Sequence, residues 1–443
     1  MNHLETSEKS LKRDDELQRE IKRPSNEDLF EQMLRAENRS RAWKQVKSNQ
    51  GSAGIDGMTI EEFPSFAQEH WQGIKASLLD GSYRPQPVLR VSIDKPDGGK
   101  RDLGIPAITE RVIQQAIAQV LTPLFEPDFS EHSYGFRPKR SAKMAVQQAR
   151  GYIKDGFKIA VDMDISKFFD CVNQDRLLTR LGQTIRDKRL LQLIGLFLRA
   201  GVMVENRFIK TCQGVPQGSP LSPILSNIVL DELDKELEKR GHHFARYADD
   251  SIILVKSIRA GKRVMSSVGR FVEEVLKLKI NEEKSQVVPV DQSKFLGFTF
   301  NRGKIAWHTK TVETFKRKVR RLTNRNWGIS MEVQIAKLSQ FLRGWGNYFT
   351  IANAYQQCVD LDHWIRRRIR MRYWKQWRKP RTKIKNPLRL KVPLKMAIDC
   401  GITSKGPCRS SKTFGIQLGL SNEFLATQGL VSLRDIWVAV HYG

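Results

Sequence analysis

The chain has 443 residues, and its 76 Lys and Arg against 48 Asp and Glu give a formal net charge of +28 at neutral pH. This excess is far more than solubility needs and predicts a polyanionic partner, because basic side chains near phosphates release counterions. A membrane is the weaker partner: no window approaches the roughly 20 apolar residues of a spanning helix, and the N-terminal MNHLETSEKS has no apolar run. We therefore expect a nucleic-acid-binding protein of two or three domains.

The five cysteines are few, odd in number and widely spaced. Such usage is typical of a reducing compartment. The sequence contains no CxxC pair and no Cys/His cluster, so it gives no indication of structural zinc.

Helix and strand patterns alternate from residue 26 onward without a regular βαβ rhythm, which predicts an α+β fold with a palm-like sheet rather than a doubly wound one. Residues 26–80 read as helices interrupted by the Gly-rich cluster NQGSAGIDG (Asn49–Gly57). Tyr83–Pro106 predicts a hairpin with basic residues near its tip. Ala107–Leu121 has apolar residues at helical spacing, followed by Pro123.

The central part of the chain predicts strands that carry acidic residues. Lys158–Ile165 (KIAVDMDI) is a strand, and Phe244–Val255 is two short strands about a turn that contains RYADDS. The other elements predicted here follow in chain order. They are a helix (Gln174–Ala200), a hairpin (Val202–Lys210), a loop that becomes a helix (Gln213–Gly241), an amphipathic helix (Gly261–Leu278) and a second hairpin (Lys294–Trp307).

After about residue 310 the pattern becomes helical and basic, which predicts a separate all-helical domain. Val312, Phe315, Val319 and Leu322 form one apolar stripe among Lys and Arg. Two further helices are predicted through roughly Glu332–Tyr348 and Tyr355–Trp377. The tail, Ile384–Gly443, reads as loop-rich with a few short elements.

The segment Trp364–Lys385 (WIRRRIRMRYWKQWRKPRTKIK) contains eleven Lys and Arg, no acid and four aromatic residues. A helix basic on most of its surface is unstable alone, so we expect polyanion on one side of it and protein on the other. About half of the aromatics should pack inward, and the others can stack on bases or riboses. The alternative is an aromatic core stripe in a solvated basic helix.

The acidic residues in the two central strands predict a cation site. Asp162 and Asp164 share one face of their strand because they are two residues apart. If that strand lies beside the RYADDS turn, Asp164, Asp249 and Asp250 converge, and their mutual repulsion requires hard divalent cations between them. Oxygen ligands of this kind suit Mg²⁺, and two ions about 4 Å apart suit phosphoryl transfer. The alternative for a YxDD sequence by itself is a solvated turn.

Several motifs occur in order along the chain, and together they resemble those of reverse transcriptases. Among these enzymes the chain is most similar to the bacterial group II intron-encoded reverse transcriptase/maturases, especially the compact class associated with group IIC introns. The resemblance covers nearly the whole chain from about residue 26, and its combination of motifs is specific. The motifs are GSAGIDG, KRDLGIPAITERVIQQAI, HSYGFRPKRSA, DMDISKFFD, QGVPQGSPLSPILSN, RYADD, KFLGF and LRGWGNYF.

The resemblance implies a right-hand polymerase, with fingers and a palm built on an antiparallel sheet, followed by an all-helical thumb or X domain. The implied divisions are an N-terminal extension (1–25), fingers (26–160), palm (161–308), thumb (309–383) and a basic nucleic-acid-binding tail (384–443).

The resemblance also assigns the catalytic roles. Asp164 and Asp249 would hold two Mg²⁺ ions, for which Mn²⁺ is a possible substitute, with help from Asp250 and the backbone carbonyl of Ile165. The residues implied to bind the incoming dNTP are Lys95, Arg101, Phe169, Gln217, Gly218 and Lys284.

Each dNTP-binding assignment has a plainer alternative. Phe169 is implied to exclude a 2′-hydroxyl, and otherwise is a core aromatic beside Phe168. Lys95 and Arg101 are implied to grip the triphosphate, and otherwise belong to a solvated loop, with Lys100 a rival for Lys95.

Three of these residues, Gln217, Gly218 and Lys284, also have roles that the resemblance implies. Gln217 and Gly218 would contact nucleotide or template, and otherwise form a structural turn. Lys284 is implied to be the general acid for the pyrophosphate leaving group, and otherwise is a surface lysine.

Two further surfaces follow from the resemblance. Phe295, Leu296 and Gly297 match the primer grip, with Gly297 allowing close approach of the primer backbone. The nucleic-acid-binding residues implied in the basic helix are Arg366, Arg367, Arg370, Arg372, Lys375 and Arg378.

The function implied is RNA-directed DNA synthesis by a maturase that also binds its intron RNA to assist splicing and retromobility. The implied partners are intron RNA, an RNA template with a DNA or RNA primer, target DNA and dNTPs, with no membrane, in a bacterial cytoplasmic protein associated with the nucleoid or RNA. The oligomeric state is open between monomer and dimer. No HNH-like Cys/His cluster follows the thumb, so we expect no second-strand cleavage.

Three other functions remain open from the sequence. One is a maturase in which polymerase activity is secondary, and another is a domesticated or defence-associated reverse transcriptase without an intron partner. A folded group II intron in the flanking DNA would support the mobile-element function, and its absence would favour the reverse transcriptase without an intron partner. The third, an RNA-binding scaffold without enzymatic activity, is disfavoured by the intact carboxylates.

Overall fold

The computed structural model describes residues 26, 28–94, 99–205 and 207–443. The predicted N-terminal extension and Lys95 lie outside the described residues. The backbone divides into two compact units, Met1–Pro289 and Val290–Gly443. No helix in the part of the chain that the structure describes is long and apolar enough to cross a membrane.

The first unit combines helices with two four-stranded sheets, as an α+β fold requires. A short 3₁₀ helix (Glu126–Asp128) extends α4, and a π-helical turn (Phe271–Val275) extends α10. The helices of this unit are α1 (Leu29–Leu34), α2 (Ala36–Ser48), α3 (Phe63–Asp80), α4 (Ile108–Phe125), α5 (Ala142–Lys154), α6 (Phe168–Cys171), α7 (Gln174–Thr184), α8 (Lys188–Leu198), α9 (Ser222–Lys239) and α10 (Ile258–Arg270).

One sheet, called here the fingers sheet, has the strand order β2-β1-β4-β5. Its strands are β1 (Val88–Asp94), β2 (Lys100–Ile105), β4 (Val202–Val204) and β5 (Arg207–Ile209). The pairs β1–β2 and β4–β5 are the two hairpins predicted from the sequence, and a short parallel pairing of β1 with β4 joins them.

The other sheet, the palm sheet, is antiparallel throughout and has the order β6-β7-β3-β8. Its strands are β3 (Ile159–Met163), β6 (His243–Tyr247), β7 (Asp250–Val255) and β8 (Gln286–Pro289). Helix α10 crosses this sheet so closely that a Cβ on Gly261 would lie 2.4 Å from Val287 Cγ1. Val161 and Met163 enter the core from the same face, which leaves Asp162 and Asp164 on the other face.

Two details of this unit differ from the sequence prediction. The single helix predicted over Gln174–Ala200 is two helices, because Asp187 caps α8 through the Arg189 N–H (3.1 Å) and also accepts the Phe30 N–H (3.0 Å). Helix α4 does not end before Pro123 but continues through it to Phe125.

The second unit begins with a hairpin of β9 (Phe298–Asn301) and β10 (Lys304–Trp307) and is otherwise helical. The prediction of a loop-rich tail is wrong, since short helices that bury single apolar faces occupy most of residues 384–443. The helices are α11 (Thr309–Leu322), α12 (Met331–Phe349), α13 (Tyr355–Gln376), α14 (Pro380–Arg389), α15 (Leu394–Gly401), α16 (Pro407–Ser410), α17 (Phe414–Gly419), α18 (Asn422–Thr427) and α19 (Leu433–Tyr442).

A buried carboxyl group anchors the chain where it enters the fingers sheet. Glu110, on the first turn of α4, is 3% exposed. It accepts hydrogen bonds from the Tyr83 hydroxyl (2.8 Å) and the Gln86 N–H (3.0 Å). Burial raises the pKa of Glu110 to about 7, against the lowering effect of these two hydrogen bonds.

Because the pKa of Glu110 is higher in the folded than in the unfolded chain, its contribution to stability is full below the unfolded value of 4.5 and is lost as pH rises to about 7. We expect Glu110→Gln to remove this part of the pH dependence, since glutamine does not titrate, keeps an oxygen that accepts the Gln86 N–H, and can donate from its NH₂ group to the Tyr83 hydroxyl. Melting temperatures of the wild type and of the Glu110→Gln variant between pH 5 and 8 would measure this pH dependence. Parallel pH profiles for the two proteins would contradict the assignment.

Candidate active site

The palm sheet brings the two acidic segments together. Strands β3 and β7 are antiparallel with Met163 opposite Ser251, so the same register sets Asp164 opposite Asp250 just beyond the last pair. Tyr247 pairs with Asp250 across the β6–β7 turn, which leaves Ala248 and Asp249 at its tip. Asp249 is exposed, whereas Asp164 and Asp250 are half-buried. The predicted juxtaposition of the Asp164 strand and the RYADDS turn is therefore confirmed.

The backbone of Asp164 is fixed from its other side. The Ser285 hydroxyl accepts its N–H (3.1 Å), and its carbonyl accepts the Asn281 N–H (2.8 Å). The next residue, Ile165, forms an antiparallel bridge with Ile280 in which the hydrogen bonds run between their neighbours. The Ile165 carbonyl is consequently turned away from Ile280, toward the side of the sheet on which β7 lies.

Lys284 lies beside the Asp164 carboxylate. Its Nζ is 3.8 Å from Asp164 Oδ2, and the side chains are 61% and 44% exposed, respectively. At that exposure the ion pair contributes little to stability, so its significance is positional. The structure thus places Lys284 next to Asp164, on the exposed side of the sheet edge.

A buried arginine holds the acidic turn. Arg246 is 1% exposed, and its guanidinium makes a two-pronged contact with the Asp234 carboxylate, with Nε to Oδ1 at 2.7 Å. The remaining donors reach Asn227 Oδ1 (3.1 Å), Ser133 Oγ (2.8 Å) and the carbonyl of Ala248 (2.9 Å). The last bond connects the buried charge directly to the tip of the turn that carries Asp249.

The turn also rests on a glycine from the HSYGFRP segment. A Cβ on Gly135 would lie 2.2 Å from the Ala248 nitrogen and 2.9 Å from the Tyr247 carbonyl carbon, so no larger residue fits there without moving the turn. Asn227 Nδ2 donates to the Gly135 carbonyl (2.8 Å) and so ties this segment to the Arg246 contacts. Ala248 itself has a φ of 58°, a left-handed conformation that costs energy in a non-glycine residue.

Two of the predicted dNTP-binding residues are in direct contact. Arg101 on β2 donates from Nε to Gln217 Oε1 (3.0 Å), and within the described residues its terminal nitrogens make no further hydrogen bond. The Gly104 N–H donates to the Gln217 carbonyl (2.6 Å). Gly218 has a φ of 113°, and a Cβ on it would lie 2.5 Å from the Gly104 carbonyl oxygen. Glycine is therefore required at 218 by close packing on the fingers sheet itself.

Phe169 lies between the core and the surface. It is half-buried, packs against the core and meets the ring of Phe168 edge-on at 5.2 Å. Its carbonyl accepts the Val215 N–H (2.7 Å), which links it to the PQG loop. Phe168 is buried, so the two rings have different environments: Phe168 fills the core and Phe169 is partly exposed.

The residues of the predicted primer grip form a tight turn in the second unit. Phe295 and Phe298 exchange both backbone hydrogen bonds across Leu296 (φ 52°) and Gly297 (φ 86°). The Gly297 carbonyl accepts the Thr311 hydroxyl (2.8 Å). A Cβ on Gly297 would lie 3.0 Å from Phe349 Cε1. The glycine is explained by this positive φ and by packing within the unit.

The predicted nucleic-acid-binding residues of helix α13 fall into two groups. Arg372 is buried, and its donors are taken by Gln334 Oε1 (3.0 Å) and the carbonyls of Arg325 (2.6 Å), Trp327 (2.5 Å) and Ile329 (3.1 Å). Its assignment to the binding surface is wrong, because these bonds hold the loop before α12.

The other members of the set are placed differently. Arg370 is also buried but borders a cavity, Arg366 and Arg367 are half-buried, Lys375 is exposed, and Arg378, which lies just after the end of α13, is exposed too.

The aromatic residues of α13 also differ in how far they are buried. Trp374 is 1% exposed and belongs to a core cluster with Cys400, Ile416 and Leu420. Trp364 is half-buried, and the guanidinium carbons of Arg320 and Arg368 lie 5.8 and 5.5 Å from its ring centre. The tail residues thus cover α13 on the side of Trp374.

The donor set at the β3–β7 edge fits Mg²⁺, although not as the predicted three-carboxylate cluster. Residues 26, 28–94, 99–205 and 207–443 contain no group of three or more His, Cys, Asp or Glu side chains gathered for a metal. The strand register places Asp250 opposite Asp164, while Asp249 is at the exposed tip of the turn, one residue before β7. One or two carboxylates with a carbonyl are nevertheless a usual protein contribution to Mg²⁺, whose shell is completed by water and substrate phosphates.

Comparison with known proteins identifies the chain. Residues 93–300 match the family described as "Reverse transcriptase (RNA-dependent DNA polymerase)", and residues 312–389 match "Group II intron, maturase-specific domain". Protein YkfC of Escherichia coli is 30% identical over 56% of this chain and 74% of its own length. The chain belongs to the group II intron reverse transcriptase/maturase family. Reverse transcriptases generally use Mg²⁺.

Other relatives are larger than the part they share with this chain. The group II intron-encoded protein LtrA of Lactococcus lactis is 30% identical over 61% of this chain and 56% of its own length. A putative COX1/OXI3 intron 2 protein of Saccharomyces cerevisiae is 28% identical over 58% of this chain and 37% of its own length. The chain therefore spans about half of LtrA and less of the yeast protein.

The sequence interpretation missed the residues that support the site. Arg246, Asp234, Asn227 and Gly135 had no assigned role, although RYADD and HSYGFRP had been identified as motifs. A signal was available for Arg246, since an arginine flanked by Phe244, Ala245 and an apolar strand must find a buried acid. Nothing local indicates that the acid is Asp234.

We expect Arg246→Lys to destabilise the protein by about 3 kcal/mol, because a lysine cannot replace the two-pronged contact and leaves buried acceptors unpaired. The value of kcat should fall more than KM rises, since the Asp249 turn loses its anchor at Ala248. Melting temperature and steady-state primer extension measure the two effects.

Arg240→Lys is the matched control. Arg240, at the C-terminal end of α9, pairs with Glu236 of that helix and is more exposed than Arg246. Such pairs contribute roughly 0.3–0.5 kcal/mol. Equal melting temperatures and rates for the Arg246 and Arg240 variants would contradict the anchoring role.

Proposed function

We propose that this protein extends a primer on an RNA template by adding deoxynucleotides at the β3–β7 edge of the palm sheet. The observation that carries the proposal is the placing of Asp164 opposite Asp250 across β3 and β7, with Lys284 beside Asp164. The match of residues 93–300 to reverse transcriptases supports the same reaction.

In the proposed reaction the primer 3′-oxygen forms a bond to the α-phosphorus of the dNTP. The bond from that phosphorus to the bridging oxygen breaks, the hydroxyl proton leaves to solvent, and pyrophosphate departs. Lys284 supplies a proton to the departing pyrophosphate from its position next to Asp164. Asp164, Asp249 and the Ile165 carbonyl would hold Mg²⁺, which when bound lowers the pKa of the attacking hydroxyl and stabilises charge on the phosphoryl oxygens.

The nucleotide is proposed to lie between the fingers sheet and the PQG loop. Gln217 fixes the Arg101 Nε, so the guanidinium presents its terminal nitrogens as a fork for triphosphate oxygens. Phe169 is tied by its carbonyl to the same loop and would contact the sugar, where a ring excludes a 2′-hydroxyl. One rigid assembly would thus bind the phosphates and select the sugar.

We further propose that the protein is a maturase for its own intron RNA. The match of residues 312–389 to the maturase-specific domain supports this, as do the intron-encoded relatives. Proposed partners are therefore the intron RNA, an RNA template with its primer, and target DNA. The exposed Lys375 and Arg378 and the half-buried Arg366 and Arg367 would contribute phosphate contacts.

Asp249→Ala should reduce primer extension by roughly a thousandfold or more, because several kcal/mol of charge stabilisation are lost with a metal ligand. Binding of primer and template should be unchanged. Asp155→Ala, which removes an exposed carboxylate after α5, is the control and should extend primers normally. Full activity of the Asp249 variant would exclude it as a metal ligand.

Phe169→Ala should admit ribonucleotides and lower the ratio of kcat/KM for dNTP over rNTP by roughly tenfold or more. A steric clash with the 2′-hydroxyl should discriminate between substrates more strongly than one methylene group does in an apolar pocket. Phe157→Ala removes another half-buried ring, one that packs on His243, and should leave the ratio unchanged. Unaltered discrimination by the Phe169 variant would return that residue to a purely structural role.

The maturase proposal predicts that the wild-type protein accelerates splicing of its own intron at near-physiological Mg²⁺. Asp249→Ala should splice equally well, because Asp249 lies outside the maturase-specific residues 312–389. An RNA gel of spliced product over time measures both. A protein that extends primers but leaves splicing unchanged would favour a reverse transcriptase without an intron partner.

A further inference from the structure

A polar cavity of about 450 Å³ lies in the second unit between helix α13 and the tail segment 411–423. Its lining includes three cationic side chains, Arg367, Arg370 and Lys412, and one acidic side chain, Glu423. The volume is within the roughly 300–1,000 Å³ typical of sites for small ligands. The cavity is therefore large enough for a phosphate with its sugar.

The arginines in this cavity are built into the fold rather than free on the surface. Arg370 is 8% exposed, and it donates from Nε to the Leu420 carbonyl (2.8 Å) and from an NH₂ group to Asn422 Oδ1 (3.0 Å). Arg367 Nε is buried and, within the described residues, has no hydrogen-bond partner. A buried donor without a partner is costly, so this arginine is held in place by its surroundings in spite of an unmet hydrogen bond.

The acidic side chain distinguishes this cavity from a simple phosphate site. Its own backbone N–H and the Ser421 hydroxyl hold the pKa of Glu423 below its usual range, with Arg366 and Arg370 acting in the same direction. Glu423 is therefore ionised at neutral pH and repels a bare phosphate. A carboxylate can only accept hydrogen bonds, so it favours a ligand that carries a hydroxyl donor close to its phosphate.

We propose that this cavity binds one ribonucleotide of an RNA strand, with its phosphate on Arg367, Arg370 and Lys412 and its 2′-hydroxyl donating to Glu423. The 2′-hydroxyl is the group by which a protein distinguishes RNA from DNA. The proposal rests on the nucleic-acid-binding function given above and adds to it a subsite that contains Lys412 and Glu423. These two residues lie outside the maturase-specific match at 312–389.

The test uses the full-length protein and two single-stranded probes of equal length, oligouridylate and oligodeoxyuridylate, which differ only in the 2′-hydroxyl. Binding is measured by fluorescence anisotropy at several salt concentrations. Lys412→Ala should weaken binding of the RNA probe roughly fivefold and lower the salt slope by about 0.7, as loss of one phosphate contact requires. Lys395→Ala removes an exposed lysine outside the cavity and is the control.

Glu423→Gln provides the second measurement. It should strengthen binding of the DNA probe, because a repulsive charge is gone, and lower the preference for RNA over DNA several-fold. Lys412 and Lys395 variants with equal affinities and slopes would overturn the proposal. An unchanged RNA preference in the Glu423 variant would overturn it too, and equal wild-type affinity for both probes would exclude RNA as the specific occupant.

Primer extension by the same preparations separates this proposal from the polymerase function. A wild-type protein that extends primers while the cavity variants bind RNA like the control refutes only the cavity proposal. A wild-type protein that makes no DNA but loses RNA binding with Lys412→Ala refutes the polymerase proposal and supports the subsite.

Discussion

Arg246 enters the palm sheet as a charged side chain among buried apolar neighbours, and Asp234 on helix α9 neutralises it there. Their contact is one of several that the guanidinium makes, and the others reach Ser133, Asn227 and the carbonyl of Ala248. A buried ion pair of this kind contributes little net stability compared with well-packed apolar residues. Its effect is geometric, because the bonds of the guanidinium can be satisfied together only when these segments occupy one arrangement.

The position of Asp249 follows from that arrangement. The Ala248 carbonyl is held by Arg246 from inside the sheet, and Gly135 packs against the Ala248 nitrogen from the neighbouring segment. On the adjacent strand, Ser285 and Asn281 fix the backbone of Asp164. Each acidic residue that we propose as a Mg²⁺ ligand therefore has a backbone defined by polar contacts, as a site must if it is to be formed before substrate arrives.

Much of this fold could be predicted from the sequence, because the information was local. The β1–β2 hairpin, strand β3 and the β6–β7 turn were signalled by alternation and by turn residues, and the helices of the second unit by apolar spacing. The partners of Arg246 and the contact of Arg101 with Gln217 could not be predicted, since they join residues 12 and 116 positions apart through tertiary packing. The three-carboxylate cluster was predicted from the expected pairing of the Asp164 strand with the RYADDS turn, and strand pairing does not fix the directions of side chains in a turn.

The basic helix α13 illustrates why composition alone misassigns function. Its arginines look equivalent in WIRRRIRMRYW, yet Arg372 supports a loop, Arg370 borders a cavity and Arg366 is half-buried. A guanidinium has several donors and can bind backbone carbonyls that no helix or strand satisfies. Arg372 binds the carbonyls of Arg325, Trp327 and Ile329 in this way. Only the positions of the neighbouring carbonyls separate that role from phosphate binding. The tail was similarly misread because its helices are short and are stabilised by burial against α13.

Packing beneath the acidic turn sets the position of Asp249, and Gly135→Ala disturbs that packing without removing a carboxylate. A Cβ at Gly135 would lie 2.2 Å from the Ala248 nitrogen, whereas one at Gly151 on helix α5 meets nothing within 4 Å. Both variants are assayed for primer extension and for binding of the primer and template. We expect Gly135→Ala to lower kcat by about a hundredfold with binding retained, while Gly151→Ala should behave as wild type. Equal kcat for the two variants would contradict this role of the packing.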